Sequence, residues 1–276
     1  MKGIVITFFL TMAVASAVPI GVPTSLFQSD DFKKAFVGSY GILADVEPKV
    51  SRAESEMLVT VRELFDKGHF AKAESELSRF IRATDGVEDE DGNKQSISPA
   101  MVFVLGTLYF QADRLDDARR AYLEAIRRYP KFRRAHTNLA YLYAKQEEMD
   151  KALPHLQQAI ELGENSHRVF GLTGFSYLSA DNPVAAETAY RQAIMLNGAN
   201  IDWQMGLAQS LITQEKFEEA AALLGTLIKQ DPNNKQLVLQ QTNAYLEMDK
   251  KDDAAANLEM LRLRGQADAG DRKSVV

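Results

Sequence analysis

Residues 102–130 read VFVLGTLYFQADRLDDARRAYLEAIRRYP. Up to Gln111 the apolar and small residues recur every three or four positions, and after the polar break at 112–114 they do so again as far as Tyr129. That period belongs to amphipathic helices, so the stretch predicts two helices joined by a tight turn. One helical hairpin cannot bury its apolar stripe alone, so neighbours of the same kind are expected to stack against it.

The neighbours are visible as self-similarity. A register started at Glu54, Pro99, Arg133, His167, Ile201 and Lys235 has its last five starts 34 residues apart without a slip. Position 20 is then Ala73, Ala118, Ala152, Ala186, Ala220 and Ala254, alanine every time. Position 11 reads Leu64, Tyr109, Tyr143, Tyr177, Leu211 and Tyr245, and position 24 reads Leu77, Tyr122, Leu156, Tyr190, Leu224 and Leu258. Position 8 stays small or short: Val61, Gly106, Ala140, Gly174, Ala208 and Thr242. The expectation is that positions 8 and 20 let the two helix axes approach, while larger residues at 11, 24 and 27 fill the space towards the next hairpin. Asp116 and Asp150 are read as N-caps of second helices, and Pro130 and Pro232 punctuate repeat ends at position 32.

These columns resemble the tetratricopeptide repeat (TPR), over residues 54–264. The resemblance implies an all-α fold: a right-handed α-solenoid of about six TPR helix hairpins. Ahead of it, residues 18–53 are expected to hold a linker and an N-terminal capping helix, with Ser29 as cap and Phe32, Phe36 and Tyr40 at helical spacing. An acidic insertion occupies 88–98, and the polar residues 265–276 read as a disordered tail. The insertion lacks both carboxylates that an EF-hand needs at its ends, because Val87 and Ser98 stand there.

The first residues form a short apolar run after Lys2, closed by Ala-Ser-Ala at 15–17, which is the pattern of a secretory signal peptide, residues 1–17. Pro19, Gly21 and Pro23 interrupt the run, so a stable membrane insertion after cleavage is not expected. The chain has no cysteine, which excludes disulfides, thiolate metal sites and thiol nucleophiles, and fits an oxidising compartment such as the periplasm.

A basic stretch, RRYPKFRRAH at 127–136, invites a nucleic-acid reading. In the register, however, RRYP closes one second helix and RRAH opens the next first helix. Arg127 and Arg128 then face the negative end of a helix dipole and need no ligand. Tyr129 and Phe132 become seam packing. With a net charge of −6, no nucleic-acid partner is expected.

In TPR stacks the first helices line the concave side, and several members clamp a peptide carboxylate there. Of the five clamp positions only Asn138 and Arg168 match here; Phe103, Thr107 and Leu172 occupy the others. Arg134 and Arg168 share position 2 of successive repeats and are expected side by side. Apolar residues gather at positions 5, 9 and 12, among them Phe103, Phe110, Tyr141, Phe175 and Met205. The candidate peptide-binding groove therefore comprises Phe103, Thr107, Phe110, Arg134, Asn138, Tyr141, Arg168, Phe175 and Met205, suited to a peptide with apolar anchors and some acid.

No chemistry is evident. His69, His136, His155 and His167 share neither a face nor a metal-ligand spacing. GSYG (38–41) and GLTG (171–174) lack the strand and basic residue of a phosphate loop. The chain is read as a non-enzyme with no metal and no cofactor. Several strings resemble exported TPR proteins encoded beside TonB, ExbB and ExbD: GSYG and EPKV within 38–50, TLYFQ (107–111), IDWQMGLAQSL (201–211) and NAYLEMDKKDDAAANLEMLRLRG (243–265). That resemblance implies a periplasmic scaffold accessory to energised outer-membrane transport, with TonB or ExbD as candidate partners. The competing expectation is a chaperone-like adaptor for envelope proteins.

Overall fold

The computed structural model describes residues 47–88 and 94–266. Among them lie twelve helices, two to a repeat: α1 (Arg52–Asp66) and α2 (Phe70–Thr84), α3 (Pro99–Gln111) and α4 (Leu115–Arg128), α5 (Arg133–Lys145) and α6 (Met149–Glu161). They continue as α7 (His167–Ser179) and α8 (Pro183–Leu196), α9 (Ile201–Thr213) and α10 (Phe217–Gln230), α11 (Lys235–Glu247) and α12 (Lys251–Leu263). The fold is all-α, of the α-solenoid class. The signal-peptide segment, the capping helix with Phe32, Phe36 and Tyr40, and the tail from 267 lie outside the described residues.

Two compact parts divide the described chain, one ending at Gly206 and the other starting at Leu207, within α9. In the first part each helix packs on its neighbours in sequence from α1 to α8, and α3 also touches α5. In the second, α10 packs on α11 and α11 on α12.

Helix starts follow two rules. Four of the first helices, α1, α3, α7 and α11, are capped by the side chains of their N-cap residues. Ser51 and Glu54 form a reciprocal capping box on α1, and Ser98, Ser166 and Asn234 cap α3, α7 and α11. Glu54 also accepts the Ser98 backbone N–H at 2.5 Å, tying the first repeat to the start of the second. Most second helices use the backbone instead. The preceding helix ends on a residue in the left-handed region: Gly68, then Asp113, Glu147, Asp181, Glu215 and Asp249, with φ of 55–61° for the five acids. The next residue donates its N–H back over that turn, as Arg114 does to Tyr109 and Glu148 to Tyr143, both at 2.9 Å. This is the Schellman arrangement. Arg114 and Glu148 are therefore the N-caps, with no side-chain bond, and Asp116 and Asp150 sit inside the first turn. The expectation that these two aspartates cap is corrected. Their charge still suits the positive helix end.

All six position-20 alanines are fully buried, from Ala73 to Ala254. Position 8 works differently from the expectation: its glycines admit the ring of position 24. A Cβ on Gly106 would stand 3.0 Å from the Tyr122 ring, and one on Gly174 would stand 2.9 Å from that of Tyr190. Each tyrosine thus fills the notch of its own hairpin. The same economy of space recurs at Gly171, where a Cβ would lie 2.5 Å from buried Trp203.

The acidic insertion is pinned at its base. Gly86 N–H donates to the Gln95 carbonyl at 2.7 Å, Gln95 N–H to Val87 at 2.8 Å, and Glu88 pairs with Lys94 in a lone antiparallel bridge.

Candidate protein-interaction face

The basic stretch at 127–136 is committed to the chain's own acids. Arg127 and Arg128 both bond Glu124, and Arg128 also clasps Asp85 at 3.0 Å, linking the second repeat to the end of the first. The two guanidinium groups, Arg127 first, hold the Glu124 carboxyl down to about 2, and Arg128 keeps Asp85 below its usual value. Phe132 is fully buried against Phe103, ring centroids 4.9 Å apart. Seam packing and ion pairs account for the stretch.

The candidate groove residues all lie in the first compact part, on α3, α5, α7 and the start of α9. The structure separates them by accessibility. Phe103, Thr107 and Phe110, one face of α3, are buried, as is Met205. The Thr107 hydroxyl donates to the Phe103 carbonyl at 3.1 Å and accepts from Tyr122 at 3.3 Å, so it serves the interior. Asn138 and Tyr141 on α5 are buried too. Burial, with Glu164 adding, pushes the Tyr141 phenol well above its ordinary value, so it stays neutral beside Ser166. Arg168 and Phe175, seven residues apart on α7, are partly exposed.

Arg134 is already engaged. The carboxylate of Glu47, itself buried, accepts from its guanidinium, with the Nε donor at 2.8 Å from both oxygens, and Arg133 stands 3.9 Å away. Glu47 sits on the extended chain before α1, outside the repeats, so no repeat column could have pointed to it. The Arg134 guanidinium also lies over the Phe103 ring, 5.6 Å from its centroid.

One polar group on this face is unspent. Asn138 Nδ2 is buried with no hydrogen-bond partner. In the second part, Gln240 at the same repeat position is also buried; its Nε2 reaches Gln209 at 3.4 Å, while its Oε1 has none. A buried amide with an unused atom costs free energy in the folded chain.

The histidines correct a further expectation. His136 and His155 do meet, Nδ1 to Nδ1 at 3.0 Å across the α5–α6 hairpin. His167 accepts the Trp203 indole N–H at 3.0 Å. Positions 4 and 23 face each other within a hairpin, a relation the columns carry only if the hairpin's geometry is already known. Among the described residues no three His, Asp or Glu side chains gather as a metal-ligand set, and no helix is long and apolar enough to cross a membrane. A cleft of about 440 Å³ between α6, α7 and α8 is lined by Ile160, Phe170, Thr173, Tyr177, Ala185 and Gln192, among others.

Tetratricopeptide repeat family models match residues 103–167, 177–240 and 211–271. No curated protein matches the chain. Among solved structures, a tetratricopeptide repeat protein from Parabacteroides merdae is 22% identical with a TM-score of 0.57, over 77% of this chain and 80% of its own. YrrB, a TPR protein with an unusual peptide-binding site, is 17% identical at a TM-score of 0.57, over 69% and 89%. MamA from Desulfovibrio magneticus is 13% identical at 0.55, over 67% and 99%. At these identities the likeness is one of fold.

Proposed function

The chain belongs to the tetratricopeptide repeat family, and from that premise we propose that it is a protein–protein interaction scaffold without enzymatic activity of its own. The partner is a polypeptide bound on the first-helix face of α5 and α7. The observation that carries this reading is the pair of partly exposed side chains on α7, Arg168 and Phe175, seven residues apart on a first helix. An extended segment could give Arg168 an acid and Phe175 an apolar side chain. YrrB, of the same fold, has a peptide-binding site.

The apolar run ending in Ala-Ser-Ala at 15–17 and the absence of cysteine support export to the periplasm. The strings at 107–111, 201–211 and 243–265 support a role beside a TonB–ExbB–ExbD system, with the periplasmic region of TonB or ExbD as partner. Affinity capture of the exported protein, cross-linked in living cells, tests this. Recovery of TonB or ExbD, lost in Arg168→Glu, is the expected result; capture of general porin precursors alone would contradict it. That second outcome belongs to a chaperone-like adaptor, a reading favoured by the solvent-facing apolar side chains Val184 and Met195, which are 63% and 80% exposed on α8.

A further inference from the structure

His136 on α5 and His155 on α6 face each other within one hairpin, and nothing in the interaction face uses them. Their Nδ1 atoms are 3.0 Å apart while the ring centroids are 5.2 Å apart, so the rings meet nearly end to end, nitrogen to nitrogen. Among the described residues no third His, Asp or Glu gathers with them as a metal-ligand set. The separation is that of an N–H···N hydrogen bond.

The surroundings assign its proton. The Pro130 carbonyl can only accept, and it lies 3.0 Å from His136 Nε2. His136 therefore carries its hydrogen on Nε2 and offers a lone pair at Nδ1. His155 donates through Nδ1–H, which leaves its own Nε2 bare. Tyr143, also on α5, stacks on His155 with an interplanar angle of 14°, and Lys151 of α6 stands over the Tyr143 ring. Burial acts on both rings, and the charge of protonated His136 acts on His155.

We infer that this pair is a proton-sensitive latch on the α5–α6 hairpin, closed when the two rings share one hydrogen and released when both become imidazolium. The first added proton leaves a single hydrogen between the two Nδ1 atoms, whichever ring takes the charge, because the neutral ring can carry its own hydrogen on Nε2. A second leaves neither Nδ1 bare. It sets two N–H groups and two positive charges against each other, so the contact must break. Protons are thus taken up in two steps that belong to the pair.

The pH window follows from the direction of the shifts. Burial pushes His136 below the ordinary histidine value, and burial with the charge of His136 brings His155 down to about 4. Above the ordinary value of about 6.5 both folded and unfolded chains leave these rings neutral, and the latch adds no pH dependence. As pH falls from there, the unfolded chain binds protons that the folded pair refuses, so stability is lost progressively towards pH 4. Because α5 also carries Arg134, Asn138 and Tyr141, an open latch loosens the helix that presents the proposed interaction face.

Two measurements on the full chain decide the matter. In ring-nitrogen NMR of the unaltered protein, His136 should show Nε2–H and His155 Nδ1–H at neutral pH, with two-step titration below the range of a free histidine. Independent single-step curves near 6.5 would overturn the inference. In urea unfolding, His155→Phe keeps the stack on Tyr143 but cannot be protonated. Between pH 7 and 4.5 the unfolding constant of the parent should rise on the order of tenfold or more beyond that of the variant. An equal rise in both overturns the latch, and should the variant not fold, the NMR titration decides alone.

Discussion

At Ala152, as at its five counterparts, the side chain is fully enclosed. Ala152→Leu should destabilise the chain by about 1–3 kcal/mol in chemical denaturation; unchanged unfolding would mean that the helices do not meet at this position. Gly171→Ala should cost a similar amount, about 1–3 kcal/mol, because its Cβ would stand 2.5 Å from the indole of Trp203. A melt equal to the parent's would show that Trp203 can retreat. The alanine column was legible from sequence because a close approach tolerates one residue type, and repetition displays it six times. The partner of Arg134 was not legible. Glu47 lies 87 residues away on a segment outside the repeats, and one acid among 38 Asp and Glu carries no mark of its destination.

Among elements, five of the first helices begin on the residues where the register starts, Pro99, Arg133, His167, Ile201 and Lys235. Their ends are less obvious, since each turn relies on a left-handed residue that is an acid rather than glycine in five repeats. Asp113 also forms a 2.6 Å ion pair with Lys145. Glu147→Gly should relieve the backbone and raise stability by up to about 1 kcal/mol, read as a higher thermal midpoint. A lower midpoint would mean that the Glu147 side chain does more than occupy the turn. Ser51→Ala removes one half of the capping box on α1 and should cost about 1 kcal/mol; no change would place the burden on Glu54 alone. The second-helix starts were misread from sequence for a definite reason. Their caps are backbone N–H groups folded back over the preceding turn, and a backbone donor leaves no letter in the sequence.

For the molecule as a whole, the repeat sets which residues share a face but not which of them a partner can reach. The columns gathered Phe103, Phe110, Tyr141 and Met205 with Arg168 and Phe175, and only packing separates the buried four from the accessible two. Phe103, at position 5 of its first helix, turns inward because Tyr122 of its own hairpin and Phe132 at the seam supply rings to meet it. The proposed face is therefore smaller than the sequence implied, centred on Arg168 and Phe175. A photo-crosslinking amino acid placed at Phe175 in the exported protein tests this most directly, with Leu123, exposed on second helix α4, as the comparison site. The account predicts a discrete polypeptide adduct at 175 that disappears when Arg168→Glu is added, and none at 123. Adducts at 123 with none at 175 would contradict it.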